Sequence, residues 1–202
     1  IIEDGCHSFG SRKNKNEIVG SCSKSLCTTF SFHPVKNITT IEGGAITTNS
    51  NEIATKVRIL RNYGSAKKYE NDTIGGNSRL DELQAAFLRV KLLHLEASNE
   101  ARSKIAKMYS ASLSQIPGIE PPTIAEGATH VWHLYVIKTD NREKLQNYLA
   151  KNDIGTLIHY PIPPHMQKAY TSSKFQTKIP LPISENLHQK VLSLPISDVQ
   201  ST

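Results

Sequence analysis

From Arg79 to about Leu113 the chain runs for about 35 residues without a Gly or Pro, in helix-favouring composition throughout. Leu80, Leu83, Phe87 and Val90 recur there at spacings of three, four and three, the mark of an apolar helical stripe. A helix of that length should bridge two bodies. Pro117, Gly118, Pro121 and Pro122 stop it and mark a boundary, dividing residues 1–115 from residues 116–202. Before the helix, the alternating, β-rich run TTFSFH (Thr28 to His33) and GAITT (Gly44 to Thr48) read as strands, with a loop from Pro34 to Gly43 between them. Asn49, Ser50 and Asn51 then offer caps for a helix through NEIATKVRILRN, where Ile53, Val57 and Leu60 share a face. Tyr63 to Ser78 is polar, ends in GGNS and reads as a surface loop. Beyond the prolines the pattern changes. HVWHLYVI reads as a strand, REKLQNYLAKN as a helix, GTLIHY as a strand and SENLHQKVLSL as a helix, a small α+β unit. The chain then closes on LPIS and reaches Ser201 and Thr202 without another helix.

Charge and composition narrow the function. No segment approaches the roughly 18 uncharged apolar residues of a membrane span. The 24 Lys and Arg exceed the 18 Asp and Glu by a net +6 spread along the chain, which favours anionic ligands weakly. It forms no aromatic-interleaved basic stripe, so nucleic acid is not expected. Cys6, Cys22 and Cys27 form no CxxC pair and no even framework, so they read as reduced thiols of a cytoplasmic protein, with neither disulfide nor zinc expected. Ile1 and Ile2 run into Glu3 and Asp4 like the last half of a strand, with no initiator Met and no basic leader. The expectation is that an N-terminal portion precedes residue 1.

Several local patterns have plain readings. His130 and His133 sit three apart, but on a strand such positions face opposite ways and cannot share one ion. No metal site is expected. Gly43 and Gly44 are not followed by a helix start or by Gly-Lys-Ser/Thr, so they read as a turn. Lys13 and Lys15, near Arg12, read as a solvated loop face. The informative segment is FSFHPVKNITTIEGG. It places one lysine, Lys36, in a polar loop just after an apolar strand, where an amine can stand beside a sheet without being buried in it. A lysine that forms an imine with a pyridine aldehyde needs a carboxylate elsewhere to keep the ring nitrogen protonated. Asp4, closing the preceding strand, is the candidate, though an Asp there also suits a simple turn.

Taken in order, EDGCH, FSFHPVKNITTIEGGAITTN, GGNSRLDELQAA and LIHYPIPPH resemble the sugar aminotransferases that use pyridoxal 5'-phosphate on nucleotide-linked keto sugars, the DegT/DnrJ/EryC1/StrS-like family. The resemblance covers nearly the whole chain. It implies an α/β, fold-type I aminotransferase: the C-terminal part of a mixed-sheet large domain in residues 1–115, then a small α+β domain in 116–202. The glycine-rich phosphate-binding turn and the aromatic that stacks on the cofactor would lie in the part expected before EDGCH. By the same resemblance Lys36 corresponds to the lysine that holds the cofactor and serves as base and acid for the proton shift. Asp4 matches the carboxylate facing the pyridine nitrogen. His7 stands where the family has Gln or His near the ring oxygen. Ser31 matches a hydroxyl on the phosphate, and Asn77 resembles the residue that reaches that phosphate from the neighbouring subunit of a homodimer with shared active sites. His33, His159 and Tyr160 fall where substrate-lining residues stand.

The implied reaction moves an amino group from glutamate to a nucleotide-linked keto-6-deoxy sugar, for surface polysaccharide biosynthesis. FHPVKNITT is similar to members acting on 4-keto sugars. NSRLDELQAA and LIHYPIPPH are more similar to those acting on 3-keto sugars, and the C-terminal motif should face the sugar, so a 3-keto substrate is favoured. A sugar dehydratase of the same fold would lack the lysine that is present here. From a different class, a non-catalytic fragment could use the RLDELQAAFLRVKL stripe for dimerisation.

Overall fold

The computed structural model describes residues 1–171 and 180–200. It divides into two compact units, Ile1–Ser103 with Ile124–His133, and Lys104–Thr123 with Leu134–Thr202.

The first unit is built on a three-stranded mixed sheet. Strand β1 (Ile2–Asp4) lies parallel to a strand at Cys27–Ser31, with Ile2 opposite Cys27 and Asp4 opposite Thr29. Between them, β2 (Arg12–Asn14) and β3 (Glu17–Ile18) form a hairpin, so the Cys27–Ser31 strand is β4. Strand β5 (Gly44–Thr47) returns antiparallel to β4, pairing Thr28 with Thr47 and Ser31 with Gly44. At that last pair a Cβ on Gly44 would lie 2.7 Å from the Phe30 carbonyl oxygen, so the close return of the chain needs glycine. Helix α1 (Asn51–Leu60) starts where the sequence offers caps: Ser50 Oγ accepts from the Ile53 N–H at 3.3 Å.

Three expectations are corrected in this unit. Lys13 does not sit in a solvated loop. It lies on β2 and pairs with Glu3 of β1 and with Glu17 of β3, tying the hairpin to the sheet. The long helix begins at Glu82, not Arg79, and is two helices, α2 (Glu82–Leu92) and α3 (Leu95–Leu113). At the joint, the N–H groups of Leu93 and His94 reach back three residues, to the carbonyls of Val90 and Lys91, a tightening that no Gly or Pro announces. The stripe is also exposed: Leu83 is 66%, Phe87 47% and Val90 59% accessible, while the core takes Leu88. Leu88 packs with Phe32 and Ile38, and Phe9, Ala45, Leu80 and Leu95 flank the cluster. HVWHLYVI, finally, is a strand only from Tyr135. Val131, Trp132 and His133 are buried in irregular backbone, with Trp132 in the left-handed region at φ 52°.

The second unit pairs β6 (Tyr135–Lys138) antiparallel with β7 (Val191–Leu194). Helices α4 (Arg142–Ala150), α5 (Lys168–Thr171) and α6 (Pro182–Lys190) lie between them in sequence. Tyr135, Ile137 and Leu192 are fully buried, and the Tyr135 hydroxyl is 2.8 Å from Ser110 Oγ of α3. Two further readings are corrected. GTLIHY is not a strand but a single bridge, Leu157 to Ser193. The helix read over SENLHQKVLSL ends at Lys190, because Val191 turns extended (ψ 138°) and VLSL pairs along β6 instead. Ser201 and Thr202 lie outside the described residues.

Candidate active site

Parallel pairing decides where the site sits. Because β1 and β4 run the same way, Asp4 and Ser31 finish at one end of the sheet, and the loop carrying Lys36 leaves from that end. Sites of open α/β sheets form at these carboxyl ends.

The turn after β1 is pinned to β4. Gly5 N–H donates to the Thr29 carbonyl at 2.8 Å, and Gly5 is buried so closely that a Cβ would stand 2.8 Å from both Phe30 Cε1 and Thr28 Cγ2. Asp4 Oδ1 then accepts the Cys6 N–H at 3.0 Å, an Asx-type turn. Hydrogen bonds from the Cys6 thiol and from its N–H hold the Asp4 carboxyl below the usual carboxylate range, and the His7 and Lys36 charges add to the effect. Conversely, burial and the Asp4 carboxylate push the Cys6 thiol up. His7 stands beside them, its ring edge-on to His133 with centroids 4.3 Å apart.

Lys36 is half-buried on a loop fixed from both sides. Its own N–H donates to the His33 carbonyl at 3.0 Å. After it, Asn37 Nδ2 donates to Asn99 Oδ1 of α3 at 2.9 Å and to the Val131 carbonyl at 2.6 Å, and Ile38 is sealed into the core. The loop's far end is held by Gln84 of α2, whose Nε2 donates to the carbonyls of Thr40 and Glu42. Ser31 Oγ accepts from the His33 N–H at 3.3 Å, and the His33 ring faces Glu42 at 3.9 Å. Asn77 is exposed, on a bridge to Asn62. His130 accepts the Trp132 N–H and turns its ring to that indole, whereas His133 meets His7; among the described residues no cluster of metal-ligating side chains forms.

His159 and Tyr160 belong to the second unit. His159 Nδ1 lies 2.7 Å from Ser193 Oγ, and Tyr160 is 59% exposed, its carbonyl bonded to the His188 ring. A cavity of about 640 Å³ between β5 and α1, lined by Ile46, Val57, Arg58 and Arg61 among others, includes neither Lys36 nor Asp4.

The sequence reading missed Cys6, Asn37, Asn99 and Gln84. An Asp followed two residues later by an available N–H was the one signal that could have found the turn at Cys6. The others depend on contacts across 42 residues or more.

A mixed α/β sheet with a carboxylate and a lysine-bearing loop at its carboxyl end is the arrangement expected of a fold-type I aminotransferase. Residues 1–201 match the model of the DegT/DnrJ/EryC1/StrS aminotransferase family, and the chain belongs to that family. It is 53% identical over 159 residues to the dTDP-3-amino-3,6-dideoxy-alpha-D-galactopyranose transaminase of Aneurinibacillus thermoaerophilus, covering 79% of this chain and 43% of that protein. The crystal structure of Streptomyces venezuelae DesV in complex with a ketimine intermediate is 41% identical and superposes with a TM-score of 0.92, over 98% of this chain and 53% of that one. Bacillus subtilis NtdA with bound cofactor PMP is 29% identical, TM-score 0.82, over 98% of this chain and 46% of that one. The chain thus spans about half the length of the relatives it matches, and its fold is theirs over that half. Among the described residues no helix is long and apolar enough to cross a membrane.

Proposed function

We propose that the intact protein is a pyridoxal 5'-phosphate-dependent aminotransferase that moves an amino group from glutamate to a nucleotide-linked 3-keto-6-deoxy sugar. The observation that carries this reading is that Asp4 closes β1 and the Lys36 loop leaves β4 at the same end of two parallel strands. The donor set fits the cofactor. A primary amine suits an aldehyde, a carboxylate held ionised suits a protonated ring nitrogen, and the Ser31 hydroxyl at the same sheet end suits a phosphate oxygen. The 3-amino product named for the Aneurinibacillus relative supports a 3-keto substrate.

When bound, the cofactor supplies the aldehyde that takes up the donor's amine and a ring that accepts the electron pair left at carbon. The chain's own groups do the rest. Lys36 Nζ would hold the cofactor and, when free, its amine would accept and return a proton. Asp4, kept charged by the Cys6 side chain and N–H, would accept a hydrogen bond from a protonated ring nitrogen. Ser31 Oγ would donate to the phosphate, and His7 would stand beside the ring. Asn77, exposed on its loop, is assigned to the partner subunit's phosphate in a homodimer. The exposed face of Leu83, Phe87 and Val90 supports such a pairing of subunits. In the second unit His159 and Tyr160 are assigned to the sugar, as is His33.

The test is mass spectrometry of the products formed by the full-length protein from glutamate and a panel of nucleotide-linked 3-keto and 4-keto sugars. A 3-amino sugar is expected. A deoxy sugar, or no product with cofactor that cannot be trapped on Lys36 by borohydride, would overturn the reading.

A further inference from the structure

Among the groups around Lys36, one side chain has a bonding pattern that its own stability does not require. Asn37 spends both its amide protons on the body of the first unit: one on Asn99 Oδ1 of α3, one on the Val131 carbonyl. Its own Oδ1 is buried without a hydrogen-bond partner. A buried orphan acceptor is a cost of about 1–3 kcal/mol that a smaller residue would avoid. The donors also fix which way the amide faces, since a flipped carboxamide would set oxygen against two acceptors.

Asn99 is itself committed. Its Nδ2 donates to the Phe9 carbonyl at 3.4 Å, and a Cβ on Gly10 would lie 2.9 Å from that nitrogen, so the amide has little room to move. Val131 is 4% exposed and leads in two residues to His133, the ring that meets His7. Asn37 therefore joins the lysine loop to the two segments that flank the Asp4 turn, the stretch His7–Gly10 and the stretch Val131–His133.

We propose that Asn37 is the positioning residue of Lys36: its carboxamide, clamped between Asn99 and Val131, sets where the Lys36 amine stands relative to Asp4. The inference rests on the reading of Lys36 as the cofactor lysine. The Lys36 N–H bond to His33 and the burial of Ile38 do not involve the Asn37 side chain, so removing the clamp loosens the loop at the residue next to the amine and leaves the core packed. A displacement of about 1 Å at a reacting group costs on the order of 100-fold in rate.

The experiment uses the full-length protein and its variants Asn37→Ala, Asn37→Asp and Asn99→Ala. The rate of borohydride trapping of pyridoxal phosphate on the Lys36 peptide is read by mass spectrometry, alongside the thermal midpoint. Trapping should fall about tenfold or more in both Asn37 variants, while Asn99→Ala, which keeps the Val131 bond, should lose less. The double variant Asn37→Ala/Asn99→Ala should cost no more than Asn37→Ala alone, as for two groups acting as one. A purely structural residue would lower the midpoint and leave trapping unchanged; that result overturns the proposal, as does strict additivity. If Asn37→Ala does not fold, Asn37→Asp and Asn99→Ala still decide it. Absence of trapping in the unmodified protein would instead overturn the assignment of Lys36, and the two failures are distinguishable.

Discussion

The Asp4 carboxylate accepts the Cys6 N–H at 3.0 Å, and this bond closes the turn that ends β1. The Cys6 side chain first, and this N–H second, keep the carboxyl ionised more readily in the folded chain than in the unfolded one. A depressed folded value contributes stability above the unfolded carboxyl pKa, about 4, and that contribution is lost as pH falls through the folded value. The thermal midpoint of the wild type should therefore exceed that of Asp4→Asn at pH 7, and the gap should close in acid. A gap that persists unchanged in acid would mean that the effect does not come from ionisation. In the full-length enzyme the same substitution should leave cofactor bound and slow turnover strongly; wild-type rates would assign the ring proton to another group.

Gly5 separates Asp4 from Cys6, and its missing side chain is a packing requirement. A methyl there meets Phe30 Cε1, Thr28 Cγ2 and the Thr29 carbonyl oxygen within 3.0 Å. Gly5→Ala should destabilise by about 1–3 kcal/mol and also raise the Asp4 pKa toward its ordinary value, read by carboxyl NMR. Loss of stability with an unmoved Asp4 would separate the turn from the charge.

Lys36 is half-buried on a loop, and its backbone bonds do not depend on its side chain. Lys36→Ala should change stability by no more than about 0.5 kcal/mol and abolish amino transfer in the full-length protein. Retained transfer would remove Lys36 from the chemistry.

His159 and Tyr160 carry no part of the amine and carboxylate pair. His159→Ala and Tyr160→Phe should slow the sugar half-reaction more than the glutamate half-reaction in stopped-flow measurements of the two halves. Equal slowing would mark them as structural, through the contact of His159 with Ser193 on β7.

Much of the frame was legible from local chemistry. Two β-branched residues before Asp4, alternation in TTFSFH, and Ser50 ahead of an apolar period each specify their element within a few residues, because backbone propensity and capping are short-range. The placement of Asp4 at the end of β1 and of Lys36 in the loop after β4 was legible in the same way, whereas Ser31 was singled out only by the family resemblance. Reading failed where two elements compete for one segment. VLSL continues a helical pattern from Lys190, yet the fully buried Leu192 and a ladder with β6 outweigh that local preference. The stripe of Leu83, Phe87 and Val90 has helical period, but period shows that a face is apolar and does not say what covers it.

By itself, then, the order of residues determined most of the elements of the first unit, the family, and that a carboxylate closes β1 while an amine follows β4 in a loop. Only the tertiary structure decided that β1 and β4 run parallel with Asp4 beside Thr29, that Asn37 reaches Asn99 and Val131, and that His7 meets His133. These pairings join residues up to 126 positions apart. Their bonds form only once the hydrophobic cluster of Phe32, Ile38 and Leu88 has brought the segments together, and no local pattern encodes a partner that chain entropy keeps distant until the core is packed.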